Sequence, residues 1–144
     1  MLRVICRAIV LDHETGKILL VRNKDADFWY PPGGGWNEKE NIECCVVRET
    51  EEETGIKIQP VRLLYAQEFR PDNDDVHFEL FWFGYPIGPT KLDGIKDLHG
   101  IVEEVKWFSR EELAEMKVFP ERLKDQFWNE LAGAFASPNP FIRQ

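Results

Sequence analysis

The sequence predicts one α/β (α+β) domain in which a central mixed β-sheet carries helices. Three observations lead to this fold class. Predicted strands come first, then a helix, then more strands and finally helices, an order typical of helices packed on one sheet. The 144 residues and the 43% hydrophobic content suit a single core. No repeat, low-complexity tract or linker divides residues 1–144, so we expect one domain.

The N-terminal segment is predicted to form a hairpin. Residues 2–11 are rich in β-branched side chains, which favour a strand. A polar turn at 12–16 leads into a second strand at 17–22. The aromatic residues 28–30 are expected to be extended, because two prolines follow them and exclude a helix. Gly33–Gly35 then permits a tight turn or a backbone with positive φ.

One helix is predicted over residues 42–53, which contain neither glycine nor proline. Gly55 stands where a C-cap glycine belongs. Asn41 is the N-cap candidate, although Asn37 or Glu40 could mark an earlier start.

The second half of the chain is predicted to add three strands and two helices. Residues 76–85 are apolar on both faces, as in a central strand. Ser109 and Glu112 have the spacing of a capping box. The predicted strands are 56–69 (irregular at Gln59-Pro60), 76–85 and 102–108, the loops 71–75 and 87–100, the helices 109–116 and 120–131, and the irregular tail 137–140.

Composition excludes several classes of protein. The formal net charge of -8 argues against broad, sequence-independent binding to a nucleic acid polymer, because that binding needs many lysines and arginines. No run approaches the roughly 20 apolar residues of a membrane span. The three cysteines, Cys6, Cys44 and Cys45, are expected to be reduced, which predicts a cytoplasmic protein.

The acidic excess is concentrated on the predicted helix. Residues three and four positions apart are neighbours on a helix, so Glu49, Glu52 and Glu53 share one face. Arg48 lies beside that face, whereas Glu51 points elsewhere. Crowded carboxylates destabilise a helix unless a cation compensates them, and Mg²⁺ prefers carboxylate oxygens. The helix therefore indicates a cation site, with a solvated acidic face as the alternative.

The spacing of these residues resembles the Nudix box. Gly34, Glu40 and the run from Arg48 to Ile56 fill every fixed charged and glycine position of that motif. The one departure is Thr50, where the family usually has an aliphatic residue, and we expect weaker core packing there. The box covers residues 34–56, and the resemblance implies a Nudix-like α/β/α sandwich.

The resemblance also implies an activity and a set of ligands. Nudix hydrolases cleave a nucleoside diphosphate linked to another group, with Mg²⁺ or Mn²⁺. By position, Glu52, Glu53 and the Gly33 carbonyl resemble metal ligands. Glu49 resembles the residue that binds metal or activates the attacking water.

Two further box residues have supporting roles by resemblance. Arg48 is similar to the arginine that orients the carboxylates. Glu40 resembles a residue that ligates a metal directly or through water, and Gly34 is the first fixed position of the box.

The general base could also lie outside the box. Candidates are Glu79 on the central strand and Glu103 and Glu104 at the last strand. Strand alternation predicts that Glu103 and Glu104 face opposite ways, and the position of Glu104 resembles an acidic position of relatives. His77 shares a face with Glu79 and could line the pocket.

Substrate contacts are only weakly indicated. Trp29 and Tyr30 could stack on a base, whereas Phe28 is expected in the core. Arg22 and Arg70 could contact phosphate or ribose.

The sequence thus predicts a hydrolase acting on a small nucleotide: a nucleoside triphosphate, a nucleotide sugar or an ADP-ribose compound. The alternatives are a non-catalytic nucleotide sensor and an isomerase on a related scaffold. A homodimer is left open.

Overall fold

The computed structural model describes the chain except for residues 73, 95–99, 137–138 and 143–144. Six strands form one mixed sheet with three α-helices and a short 3-10 helix. The elements are β1 (Leu2–Asp12), β2 (Lys17–Asn23), β3 (Gly33–Gly35), α1 (Ile42–Thr54), β4 (Ile58–Phe69), β5 (Val76–Pro86), β6 (Val102–Phe108), α2 (Arg110–Leu113), the 3-10 helix Glu121–Lys124 and α3 (Gln126–Ala132). This architecture confirms the predicted fold class.

The strands follow the order β4-β5-β1-β2-β6, and β3 pairs with β1. β1 and β5 are parallel, and the other pairs are antiparallel. The N-terminal hairpin is closed only at its turn, where Leu11 and Asp12 pair with Ile18 and Lys17. Further from the turn, β1 pairs with β3 instead of β2. The glycine strand therefore occupies the gap between the two halves of the hairpin.

Apolar side chains pack on both faces of the sheet. Strand alternation directs Cys6, Ala8 and Val10 of β1 towards α1. It directs Ile9 and Leu11 to the opposite face, under the C-terminal helices. Both faces are covered, as expected for the central strand β5, and the result is the layered sandwich that the sequence predicted.

The glycine segment differs from its prediction. Gly33–Gly35 is an extended strand, and none of its residues has a positive φ. Ala8 N–H donates to the Pro32 carbonyl, and Trp36 N–H donates to the Val4 carbonyl, so backbone pairing with β1 holds the segment straight. The prediction of a tight turn was wrong because pairing with a distant strand decides the conformation.

The predicted helix 109–116 was too long. The capping box of Ser109 and Glu112 is present, but α2 ends at Leu113. Trp29 N–H donates to the Lys117 carbonyl, and Trp29 forms a β-bridge with Val118. This pairing makes the chain extended at residues 117–118, directly after the predicted helix.

The predicted helix 120–131 is interrupted. Asp125, with φ of -151° and ψ of -63°, separates the 3-10 helix from α3. β4 begins at Ile58, two residues later than predicted, and its register shifts after Pro60, near the predicted irregularity. Of the loop at 71–75, residue 73 lies outside the described residues. Residues 95–99 of the loop at 87–100 and residues 137–138 of the tail lie there too.

Thr50 lies inside the core beneath α1 and is fully buried. Its hydroxyl has no hydrogen-bond partner in the part of the chain that the structure describes. An aliphatic residue would bury no such polar group. No helix among the described residues is long and apolar enough to cross a bilayer.

Candidate active site

Both ends of α1 are fixed by the caps that the sequence indicates. The Asn41 side chain accepts a hydrogen bond from Cys44 N–H at 2.9 Å, which identifies Asn41 as the N-cap among the three candidates. Gly55 has a left-handed φ of 78°, and its N–H donates to the Glu51 carbonyl at 2.8 Å. The two caps therefore fix both ends of the helix that carries the acidic face.

Three residues of α1 that are spaced four positions apart each contact one glycine of β3. Going along the helix, the contacts are Cys45 with Gly35, Glu49 with Gly34, and Glu53 with Gly33. The two glutamates are each only 7% exposed. The alternative of a fully solvated acidic face therefore does not hold for these two residues.

Gly34 leaves the space that the Glu49 carboxylate occupies. A Cβ atom at Gly34 would lie closer than 3.0 Å to all three atoms of that carboxylate. Any other residue here would displace Glu49 or shift the strand. The glycine is therefore required by close approach of a side chain and not by its backbone conformation.

Gly33 holds Glu53. Its N–H donates to Glu53 Oε1 at 2.7 Å. In an antiparallel pair, the N–H and C=O of a residue that does not bond the partner strand both point away from that strand. Gly33 stands opposite Arg7, and the preceding residue, Pro32, accepts the hydrogen bond from Ala8 N–H of β1. Gly33 is therefore at a position that does not hydrogen-bond to β1, and its carbonyl points to the same edge as its N–H, which meets Glu53.

Arg48 joins three carboxylates. Its Nη2 lies 2.6 Å from Glu40, and its Nη1 lies 2.9 Å from Glu49 and 3.3 Å from Glu52. The hydrogen bond from Arg48 lowers the pKa of Glu40 below its ordinary value. The same contact is the largest cause that raises the pKa of Arg48. The arginine therefore stays charged and holds all three side chains near one another.

This cluster carries more negative than positive charge. Glu40, Glu49 and Glu52 contact a single guanidinium, and Glu53 lies on the same helix face against Gly33. Within the described residues, no three His, Cys, Asp or Glu side chains are already arranged to hold a metal ion. The donor chemistry nevertheless fits a hard divalent cation, because every donor is an oxygen and the negative charge is in excess.

A pocket of about 700 Å³ opens on the opposite face of the sheet. Aromatic rings form part of its walls, and its charged and amide side chains come from β1, β2, β4, β5 and the 3-10 helix. The lining residues are Arg7, Asn23, Phe28, Tyr30, Gln67, Phe69, His77, Glu79, Phe81, Phe119, Pro120, Glu121 and Ile142. Such a volume and lining are typical of a small-molecule site.

Several sequence predictions meet in this pocket. Tyr30, His77 and Glu79 line it. Phe28 lines it too, beside Phe119 at a ring-centroid distance of 5.3 Å, so its prediction as a core residue was wrong. The β-bridge that pulls residues 117–118 towards Trp29 brings Phe119 to this place, and local sequence does not reveal that pairing.

A network that the sequence analysis missed lies inside the pocket. Arg7 Nε donates to Glu79 Oε2 at 2.5 Å, and Gln67 Nε2 donates to Glu79 Oε1 at 2.9 Å. Arg7 Nη1 also donates to the Pro31 carbonyl at 3.2 Å, two residues before Gly33, so this wall of the pocket is tied to the segment that leads into β3. One signal was available, since Arg7 is a charged residue within the apolar strand 4–11.

Two of the residues predicted to contact the substrate, Trp29 and Arg70, lie outside this pocket. Trp29 packs edge-on against Phe108 at 4.8 Å. Arg70 is exposed and pairs with Glu68 at 2.7 Å. Neither Trp29 nor Arg70 lines the pocket, because the first packs beside the core and the second turns to solvent.

Arg22 is held away from the pocket by Glu103 and Glu104, at 3.1 and 2.5 Å from its Nη2. The prediction that these two glutamates face opposite ways was wrong. A register shift between β2 and β6 lies between Arg22 and Asn23, and it brings both carboxylates to one guanidinium.

Comparison with known proteins gives one family. A family model described as the NUDIX domain matches residues 1–127. An RNA pyrophosphohydrolase of Actinobacillus pleuropneumoniae serotype 5b is 33% identical over 103 residues, which cover 69% of this chain and 43% of that protein. An RNA pyrophosphohydrolase of Haemophilus ducreyi is 41% identical over 61 residues, 42% of this chain and 31% of that protein. The chain therefore spans less than half the length of these curated relatives.

A solved structure is similar over most of its length. The MutT NUDIX hydrolase from Burkholderia pseudomallei has a TM-score of 0.67 and 26% identity, covering 86% of this chain and 95% of that one.

Proposed function

The chain belongs to the NUDIX family, and from this premise we propose that it is an enzyme that hydrolyses the diphosphate linkage of a nucleoside diphosphate derivative with Mg²⁺ or Mn²⁺. One observation carries the proposal: α1 presses Glu49 and Glu53 against the glycine strand, while Arg48 gathers Glu40, Glu49 and Glu52 beside them. A structural helix has no need of such an excess of buried carboxylate.

The ligand roles follow from position. Glu52, Glu53, Glu49 and the Gly33 carbonyl would hold the cations, with Glu40 in support. When bound, divalent cations would neutralise the diphosphate oxygens and acidify a water molecule. Arg48 positions its carboxylates, and Gly34 leaves the room that Glu49 needs.

In the reaction, the oxygen of water forms a bond to one phosphorus atom while the bridging P–O bond breaks. Glu49 is our candidate to accept the proton of that water, because it is buried, held by Arg48 and located above Gly34. Glu79 and Glu104 are weaker candidates, since both lie outside the carboxylate cluster on α1 that would hold the cations: Glu79 pairs with Arg7 and Glu104 with Arg22.

The aromatic pocket supports a nucleotide substrate. Phe28, Tyr30 and Phe119 offer ring faces of the kind on which bases stack. Nucleoside triphosphates, nucleotide sugars and ADP-ribose compounds all carry a base that such a pocket accepts. The names of the two curated relatives add RNA as a further substrate to test, although the net charge of -8 disfavours long polymers.

The test is a substrate panel with Mg²⁺, Mn²⁺ or excess chelator. It includes the four nucleoside triphosphates, UDP-glucose, ADP-ribose and a short RNA with a 5′-triphosphate, and it measures release of phosphate or nucleoside monophosphate. We expect turnover of at least one small nucleotide, abolished by chelator and restored by Mg²⁺. Binding of nucleotides with no turnover of any compound would instead favour the non-catalytic sensor.

A further inference from the structure

Arg7 has hydrogen-bond donors that the protein does not use. Arginine carries five N–H donors in a planar fork. In the described part of the chain, Nε meets Glu79 and Nη1 meets the Pro31 carbonyl, whereas Nη2 meets no acceptor. Arg7 lines the pocket, so the outer Nη1–Nη2 edge of its guanidinium is available to a ligand there.

Glu79 fixes the orientation of this fork. Its side chain is only 8% exposed, and its two carboxylate oxygens accept from Arg7 Nε and from Gln67 Nε2. Both groups are thereby locked by a buried acceptor. Since Gln67 uses its amide nitrogen on Glu79, its carbonyl oxygen is turned away from Glu79.

Two aromatic rings lie beside the Arg7 guanidinium. The Arg7 guanidinium carbon lies 4.9 Å from the centroid of the Tyr30 ring. The Tyr30 hydroxyl donates to Asn23 Oδ1, and the ring lies 6.0 Å from that of Phe28. The tyrosine is therefore fixed beside the guanidinium, and Tyr30 and Phe28 form an aromatic wall next to the donors of Arg7.

We propose that Arg7, positioned by Glu79, reads the edge of the nucleobase and makes this pocket prefer guanine to adenine. The inference rests on the proposed function in taking a nucleotide as the ligand. Guanine presents two adjacent acceptors, O6 and N7, which match two parallel N–H donors of arginine. Adenine presents N7 beside the N6 amino group, a donor that would face the donors of Arg7.

The same network gives Glu79 a positioning role. Its carboxylate holds both Arg7 and Gln67 in place within the pocket. Glu79→Gln is therefore expected to raise KM and reduce base preference, with kcat changed by less than about 3-fold. A general base would show the opposite split, with a large loss of kcat and a changed pH profile.

The test measures binding, which does not depend on turnover. The probes are the α,β-methylene diphosphates of guanosine and adenosine, with Mg²⁺ present, titrated calorimetrically into the full chain. We expect the guanosine compound to bind at least about tenfold more tightly, a difference of about 1.4 kcal/mol. Equal affinities, tighter binding of the adenosine compound, or no binding of either would overturn the inference.

Variants then locate the preference. Arg7→Gln combined with Glu79→Gln removes the fork without leaving a buried unpaired charge, and it should bring the two affinities within about 2-fold. The matched control is Arg62→Gln, an exposed arginine of β4 outside the pocket, which should keep the preference. A preference that survives in the double variant contradicts the role of Arg7.

If the double variant does not fold, modified ligands test the same contacts on the unaltered protein. The inosine diphosphate analogue keeps O6 and N7 and should bind within about 3-fold of the guanosine compound. The 7-deazaguanosine analogue lacks the N7 acceptor and should lose about 5-fold or more. Turnover without base preference would overturn this inference alone, whereas base-selective binding without turnover would count against the proposed activity alone.

Discussion

Two arginines of this protein each gather several glutamates, and the two clusters differ in charge balance and burial. Arg48 on α1 contacts Glu40, Glu49 and Glu52, and Glu53 lies on the same helix face. Arg22 on β2 contacts Glu103 and Glu104. The two clusters contain the same kinds of ion pair. We nevertheless expect a structural role for the Arg22 cluster and a metal-binding role for the Arg48 cluster.

The Arg22 cluster neutralises itself. Lys106 lies 3.3 Å from Glu104, so two cations meet two carboxylates. The Glu104 side chain is 37% exposed, and solvent screens its charge. The hydrogen bond from Arg22 lowers the pKa of Glu104, which keeps the pair ionised at neutral pH. Such a cluster tethers β6 to β2 and has no need of a further ion.

Arg48 contacts three carboxylates, Glu53 adds a fourth on the same helix face, and Glu49 and Glu53 are almost fully buried. Burial of uncompensated like charges costs free energy, which a bound divalent cation would recover. The number of glutamates around an arginine therefore does not identify a functional site. The excess of negative charge, and its burial against a strand of glycines, distinguish the Arg48 cluster from the Arg22 cluster.

The largest expected effect separates the two clusters by activity. Glu52→Gln should lower kcat by on the order of 100-fold or more, because a lost ligand removes several kcal/mol of charge stabilisation. Glu104→Gln should change kcat by less than about 3-fold. Steady-state kinetics on the best substrate of the panel gives both values.

Glu51→Gln is the matched control, since Glu51 is the neighbour of Glu52 on the same helix and is not among the described ion-pair partners of Arg48. Thermal unfolding with and without Mg²⁺ should show stabilisation in the control that is reduced in Glu52→Gln. Near-normal turnover of Glu52→Gln would contradict the metal-binding role of the Arg48 cluster. A large loss of turnover in Glu104→Gln would contradict the purely structural role of the Arg22 cluster.

A smaller effect is expected from the glycine strand. Gly34→Ala should lower kcat/KM by about 10- to 100-fold, because a misplacement of about 1 Å in the Glu49 carboxylate disturbs the catalytic geometry. It should also destabilise the fold by about 1–3 kcal/mol through overpacking. Kinetics and urea unfolding measure the two effects.

Gly88→Ala is the control for that substitution, because a Cβ atom at Gly88 meets nothing within 4 Å. It should leave activity and stability nearly unchanged. If Gly34→Ala behaved in the same way, the close packing of Glu49 on β3 would not matter for the site.

The smallest expected effect is on stability in acid. Arg48 lowers the pKa of Glu40 in the folded protein, so the unfolded chain binds this proton more tightly. The stabilisation is complete above the ordinary glutamate pKa of about 4.3 and is lost as pH falls through the lowered value. It should amount to less than about 1 kcal/mol, since Arg48 is 35% exposed.

Urea unfolding of the wild type and of Glu40→Gln at pH 7 and pH 3.5 checks this sign. The gap in unfolding free energy between the two proteins should shrink in acid. A gap that stays constant or widens would show that the pair contributes no pH-dependent stability.

Local sequence was sufficient for α1 and its acidic face. Asn41 and Gly55 cap the helix as their residue types indicate, and the spacing of Glu49 and Glu53 places both on one side. Interactions over three or four residues decide these features, so the sequence contains them directly. The ligand and base roles of the site residues stay predictions for the experiments above.

Long-range pairing decided what the sequence could not. Gly33–Gly35 became a strand because β1 pairs with it, and a register shift brought Glu103 and Glu104 to one arginine. The pocket joins Arg7 and Glu79, which lie 72 positions apart in the chain. Which distant strands become neighbours depends on the free energy of the whole packed sheet, and no window of local sequence contains that information.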